Sequence, residues 1–284
     1  MFESIGRSWK LMLTSLKVLK HDKELMVFPL ISGIFGLLAL IVFLIPLIFV
    51  QALQEGIITY VVVFLFYLVS YFIVIFFNAA IVGATKIRLE GGDPTLQDGL
   101  DAATKHLGAV FGWAVVAATV GLILNILAGK ARDNVLGRIV IGLVGGAWNL
   151  ITFFVVPVIV YEGLGPIEAI KKSTNIVKNQ FGETVIGGMG IGAAVGIITF
   201  AGVIILGGLT YFAWTAAGFT GLAIGLGILV LFILVMGLMS SALNGIFRAA
   251  LYHYAETGTE PPGWDFGGAI PVGKKMEKQG GEQG

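Results

Sequence analysis

Residues Thr184–Phe247 read TVIGGMGIGAAVGIITFAGVIILGGLTYFAWTAAGFTGLAIGLGILVLFILVMGLMSSALNGIF and contain no Asp, Glu, Lys or Arg. A helix needs about 20 predominantly apolar residues to cross the ~30 Å hydrocarbon core of a bilayer. This stretch is long enough for two crossings, so the chain must reverse once within it. We place the reversal at Phe212–Gly221, because Trp214 and Phe219 are aromatic residues of the kind enriched at membrane interfaces.

Four further charge-free stretches precede this run, and each is long enough to cross a membrane. The six segments are Leu25–Val50, Ile57–Thr85, Leu107–Ala128, Ile139–Tyr161, Thr184–Tyr211 and Ala217–Phe247. Only 12% of the chain is charged and its mean hydropathy is +0.93, whereas about 25% of a soluble domain is charged. The sequence therefore predicts an all-α polytopic membrane protein with six transmembrane helices, and kinks are expected at Pro46 and Pro157.

The polar residues divide the chain into three regions. Residues 1–24 are predicted to form a cytoplasmic interfacial amphipathic helix, because apolar and basic side chains recur there on separate faces at helical spacing. The apolar positions are Phe2, Ile5, Trp9, Met12 and Leu16. Residues 25–250 form the transmembrane domain, and residues 251–284 form a cytoplasmic tail whose composition predicts disorder from about residue 273.

Lys and Arg residues predict the orientation of the chain. Of the 18 in the sequence, 15 lie in residues 1–24, in the loops after the second and fourth spans, and in residues 248–284. The other three are Lys130, Arg132 and Arg138. Because positive charge marks the cytoplasmic side, we expect a cell-membrane protein with both termini in the cytoplasm. The basic outer loop around Lys130 has no explanation beyond a solvated connection.

The two long basic loops resemble each other. Glu90–Pro94 reads EGGDP and Glu162–Pro166 reads EGLGP, and we expect each proline at the first position of a new helix. At a shift of 70 residues, Leu100 matches Ile170, Thr104 matches Thr174, and Phe111-Gly112 matches Phe181-Gly182. The pattern predicts three repeated units, each an interfacial amphipathic helix followed by a helical hairpin.

Three asparagines near the ends of the even-numbered spans are the candidate functional residues: Asn78, Asn149 and Asn244. No ionisable residue lies inside the six segments, whereas proton- and ion-coupled transporters usually keep one at depth. The amides could form a ring that lines a polar path. The alternative, which we favour, is hydrogen bonding between helices, which contributes on average about 0.6 kcal/mol per bond.

Other polar or small residues allow a structural and a functional interpretation. Glu90, Glu162 and Glu256 could pair with basic residues of the amphipathic helices or could be solvated helix ends. The histidines are His21, His106 and His253, and we favour solvated side chains over a cluster. Glycines spaced by four indicate close helix packing rather than a nucleotide-binding loop, which would need a preceding strand. These glycines are Gly188, Gly192 and Gly196, and the pair Gly221 and Gly225.

Composition excludes several functions. The chain has no cysteine, so it cannot form disulfides, thiolate metal sites or a cysteine nucleophile. Its net charge of +1 gives no attraction for nucleic acid. No histidine–carboxylate spacing indicates a metal, and the extramembrane segments are too short for an enzyme domain. We therefore expect no cofactor and no catalytic activity.

Both ends of the chain resemble a known family. The relevant residues are Phe2–Trp9 (FESIGRSW), Leu16–Pro29 (LKVLKHDKELMVFP), Ala250–Gly258 (ALYHYAETG) and Pro261–Asp265 (PPGWD). They resemble a prokaryotic family of six-span membrane proteins catalogued as a domain of unknown function, over residues 1–266. A weaker likeness is to the membrane domains of glycerophosphodiester phosphodiesterases, but the catalytic domain of those enzymes is absent. The resemblance implies topology and no activity.

Two functions remain open at this point. The first is a non-enzymatic scaffold or accessory subunit of a membrane assembly, with the lipid bilayer and a membrane-protein partner or second copy as its contacts. The alternative is a channel or transporter for a neutral or lipid-like solute. A solid, glycine-packed core would argue against transport, and a cavity lined by the three asparagines would support it.

Overall fold

The computed structural model describes residues 2–52, 57–178, 191–261 and 264, and these are helical with no strand. The helices are α1 (Phe2–His21), α2 (Val27–Ala52), α3 (Ile57–Leu89), α4 (Leu96–Lys105), α5 (Leu107–Lys130), α6 (Val135–Ile151), α7 (Val155–Glu162), α8 (Pro166–Ile176) and α9 (Ile191–Thr257). A short 3-10 helix, Lys23–Met26, joins α1 to α2. The predicted disorder from residue 273 and the match at Phe181-Gly182 lie outside the described residues.

Five helical segments are long and apolar enough to cross a membrane, which confirms the predicted class of protein. They are Lys23–Pro46, Ile57–Leu89, Leu107–Lys130, Val135–Glu162 and Ala194–Thr257. The last has 64 residues and would be roughly 95 Å long as a straight helix, about three times the hydrocarbon thickness.

α9 is bent back on itself at Gly218. This glycine has φ 60° and ψ −139°, a conformation that breaks the helix and that only glycine adopts readily. A Cβ placed on Gly202 would lie 2.2 Å from Cζ of Phe232, and one on Gly225 would lie 2.7 Å from Thr210. Residues so far apart in sequence can meet only if residues 191–217 (the first arm) and residues 219–257 (the second arm) run antiparallel. The predicted turn, Phe212–Gly221, contains Gly218; the count of six spans stays a prediction.

Buried residues concentrate at one end of the molecule. They come from the last turns of α3, from α7, and from the end of the second arm, with α1, α4 and α8 packed against them. We call this region the packed end. The remaining parts of the spans, residues 34–48, 57–74, 123–144 and 197–236, are called the open halves. Among their described side chains, only Ala39, Thr210 and Gly221 are buried.

Three helices of the packed end, α1, α4 and α8, each pack on a helix of a membrane-spanning segment. α4 packs on α3, α8 packs on α7, and α1 packs on α9. α1 buries Leu11, Met12, Ser15 and Leu19. Its contact with the bilayer, like the threefold repeat, stays a prediction.

The start of α4 corrects one expectation. Pro166 is the first residue of α8, as predicted, but Pro94 precedes α4 by two residues. The N-cap of α4 is Thr95, whose hydroxyl accepts from the Asp98 N–H while the Asp98 carboxylate accepts from the Thr95 N–H. This capping box satisfies two otherwise unpaired donors and sets the start of the helix one residue after the threonine.

The fourth predicted span is two helices separated by a turn at residues 152–154. Pro157 has no N–H and cannot bond to the Phe153 carbonyl, which disrupts the helix one turn earlier. The Phe154 N–H is instead directed at the hydroxyl of Ser173 on α8, 3.1 Å away. The predicted kink at Pro157 is therefore a break held by the neighbouring helix, whereas α2 continues through Pro46.

Candidate functional site in the packed end

Asp22 and Arg88 tie the start of the chain to the end of α3. The Arg88 Nε donates to Asp22 Oδ2 at 2.6 Å, and its Nη2 donates to the other carboxylate oxygen and to Asp93. Asp22 is only 3% exposed, whereas Asp93 is 93% exposed. The paired, two-oxygen geometry and the burial make the Asp22 contact the stronger of the two.

A second polar cluster joins α7, α8 and α9. Lys172 pairs with Glu162 and, at 3.1 Å, with Glu256, while the Tyr252 hydroxyl donates to Glu162. Burial tends to lower the pKa of Lys172, but its hydrogen bonds to both carboxylates outweigh this, and its pKa is raised. Two of the three predicted glutamates thus pair with a basic residue of α8.

The third glutamate, Glu90, is exposed at the end of α3. Beside it, the Lys86 ammonium lies 4.8 Å from the centre of the Tyr161 ring, and Tyr161 packs edge-on against Tyr252 at 5.0 Å.

His106 lies against Gly163, and burial together with Lys105 and Lys86 lowers the pKa of its imidazole. A neutral imidazole is expected at pH 7 as a result.

Arg248 lies within the packed end, on the second arm. Its guanidinium carbon lies 4.9 Å from the centre of the Phe153 ring, which the break in the fourth span presents to it. The Nε is shielded from solvent and has no hydrogen-bond partner, although the residue as a whole is partly exposed. A cation in this setting is unusual, because buried charges are normally paired.

The structure places the three predicted asparagines differently. Asn78 and Asn244 are partly buried on neighbouring helices, and a Cβ on Gly245 would lie 3.6 Å from the Asn78 Oδ1. That oxygen has no hydrogen-bond partner, whereas the Asn244 amide donates to the Ser240 carbonyl at 2.7 Å. Asn149 is exposed. The ring of three amides therefore stays a prediction.

Most of the polar residues brought together here were not singled out in the sequence. They are Asp22, Arg88, Tyr161, Lys172, Arg248 and Tyr252. Arg248 had one usable signal, since it follows the 64-residue uncharged run directly and stands two turns before the next charge. Among the described residues, no group of three His, Asp or Glu side chains is arranged to hold a metal ion.

The helices and the apolar exterior define a polytopic α-helical membrane protein with its polar contacts gathered at one end. The chain belongs to a family of unknown function, DUF6159, which matches residues 57–261. The expected family resemblance is thereby confirmed over those residues. No curated protein matches the chain, and the weaker likeness to phosphodiesterase membrane domains finds no support.

Proposed function

We propose that this protein is a non-enzymatic component of a membrane assembly, acting as a scaffold or accessory subunit. The observation that carries the proposal is the tight packing of α3, α7 and α9 at the packed end. Ala79, Ala80, Val158, Ile246 and Ala250 are completely or almost completely buried there. A solute path along the bundle would have to pass through this region, so its density favours a structural role.

The open halves supply the second part of the argument. Their large apolar side chains are exposed, for example Leu143 at 68% and Leu231 at 62%. Helices that share no common core in the membrane present several faces to lipid or to the helices of a partner. We propose that these faces contact the bilayer and a membrane-protein partner or a second copy of the chain.

Photo-crosslinking in native membranes tests the scaffold role. A photoreactive residue at Leu143 or Leu231 is expected to give a discrete protein adduct above the 30.1 kDa monomer, whereas one at the buried Ile246 should crosslink only within the chain. Adducts with lipid alone at both exposed sites would contradict the proposal.

A channel or transporter for a neutral or lipid-like solute is the second proposal. The partly buried pair Asn78 and Asn244, with its unpaired oxygen, is the observation that favours it. Proteoliposomes should then release a neutral solute such as glycerol faster than protein-free vesicles, and Asn78→Leu should slow the release. Equal rates in all three samples would exclude this alternative for the solute tested.

We also propose the cell membrane as the location, with both termini in the cytoplasm, on the basis of the 15-to-3 distribution of basic residues. Because the chain has no cysteine, single cysteines can be introduced at Asp93 and Arg132, both of which are exposed. In intact cells, a membrane-impermeant thiol reagent should label position 132 and spare position 93. The reverse labelling would invert the topology.

A further inference from the structure

Arg248 carries a charge that no ion pair among the described residues neutralises. It stands nine residues before the end of α9, which places its backbone roughly 13 Å from the helix end. Its Nε is shielded and makes no hydrogen bond. Among the described residues, the ion pairs involve Arg88 and Lys172 but not Arg248.

Three described carboxylates of the packed end already have other partners. Glu162 accepts from Lys172 and Tyr252, and Glu256 accepts from Lys172. Asp22 is held by Arg88. The Phe153 ring beneath the guanidinium gives an attractive contact, but stacking on a ring does not replace the hydrogen bonds that the cation loses on leaving water.

The surroundings of Arg248 restrict what could pair with it. The residue is partly exposed although its Nε is shielded, so part of its side chain borders the surface of the packed end. Phe153 and Phe247 form an aromatic wall beside it, with ring centroids 6.4 Å apart. A ligand that binds here needs a negatively charged head group and an apolar part that can contact the aromatic rings.

We propose that Arg248 binds the phosphate of an anionic membrane lipid. A guanidinium donates two parallel hydrogen bonds to phosphate oxygens, and stacking on Phe153 fixes its plane for that contact. The lipid source follows from position, since Arg248 lies within a membrane-spanning segment and basic sites between such helices suit lipid head groups. This inference does not depend on whether the protein is a scaffold or a transporter.

Thermal unfolding of the purified full-length protein in a neutral detergent provides the test. The probes are dioctanoyl phosphatidylglycerol, dioctanoyl phosphatidylcholine and inorganic phosphate at equal concentrations. Phosphatidylglycerol should raise the Tm of the wild type, and the other two should raise it much less. Arg248→Gln should weaken the response to phosphatidylglycerol at least about tenfold in lipid concentration, and Arg248→Lys should fall between, because lysine keeps the charge but not the paired geometry.

Lys86→Gln is the matched control, because Lys86 is a second cation that lies over an aromatic ring, that of Tyr161. Its lipid response should equal that of the wild type. Equal loss in both variants would indicate unspecific charge attraction and overturn the site. A response to inorganic phosphate as large as that to the lipid would overturn the lipid assignment.

Native mass spectrometry keeps the test decisive if Arg248→Gln does not fold. The wild type should retain anionic lipid in preference to phosphatidylcholine from a mixed extract, and Arg248→Lys should retain less of it. A wild type that retains both lipids equally would contradict the proposal.

Discussion

Ile246 and Ile228 lie on the same helix, eighteen residues and therefore five full turns apart, so they share one face of the second arm. Ile246 is completely buried, whereas Ile228 is 51% exposed. The same residue type on the same face thus packs against protein in the packed end and is exposed in the open half. Hydrophobicity sends a side chain out of water in both cases, but only the packed end supplies neighbouring side chains that fix its position.

The largest expected effect comes from truncating these two isoleucines. Ile246→Ala should destabilise the protein by about 2–5 kcal/mol, since it leaves a cavity among packed side chains. Ile228→Ala should change stability by less than about 0.5 kcal/mol, because detergent or lipid fills the space. Thermal or SDS-induced unfolding in detergent measures both, and equal losses would remove the distinction between the two regions.

The two carboxylate partners of Arg88, one buried and one exposed, allow a similar comparison. Asp22→Asn should cost about 2–4 kcal/mol, because it removes the charge from a carboxylate that is 3% exposed and leaves a partly buried guanidinium without its main partner. Asp93→Asn removes the other, fully accessible partner and should have little effect. Unfolding of the two variants at low and high salt gives the comparison. A larger loss for Asp93→Asn would contradict the assignment of the Asp22 pair as the structural one.

The smallest expected effect concerns the hairpin of α9, whose two arms approach each other closely within the open halves. A Cβ on Gly221 would lie 2.0 Å from the Ala213 carbonyl oxygen, whereas one on Gly227 would meet nothing within 4 Å. Gly221→Ala should therefore cost about 1–3 kcal/mol by pushing the arms apart. Gly227→Ala should be neutral or stabilise by up to about 1 kcal/mol, since alanine favours a helix. Unfolding measurements that rank the two variants in the opposite order would place the turn elsewhere.

The sequence was sufficient for the class of protein and for several local features. Charge-free segments predict membrane helices because a charged side chain is costly in the hydrocarbon core of the bilayer. The long run Thr184–Phe247 predicts a reversal in the region where Gly218 breaks the helix. Pro157 predicts an interruption because proline lacks an N–H, although α2 continues through Pro46, which lacks one too. Pro94 misled the expectation for α4, since a capping threonine one residue later competes for the helix start.

The pairing of the polar residues could not be predicted from the sequence. Asp22 and Arg88 are 66 positions apart, and Lys172 and Glu256 are 84 apart. No helical period or local motif relates residues at such distances. The candidate asparagines were chosen because amides at depth are rare, but rarity says nothing about which of them face each other.

The sequence by itself determined that this chain is an all-helical membrane protein of its family, since transfer of apolar and charged groups between water and lipid depends on residue type and segment length. Only the tertiary structure decided which end of the spans is packed, which acids hold Lys172 and Arg88, and that Arg248 has no acidic partner among the described residues. Those outcomes depend on distances between residues far apart in the chain, and such distances exist only after the helices have packed.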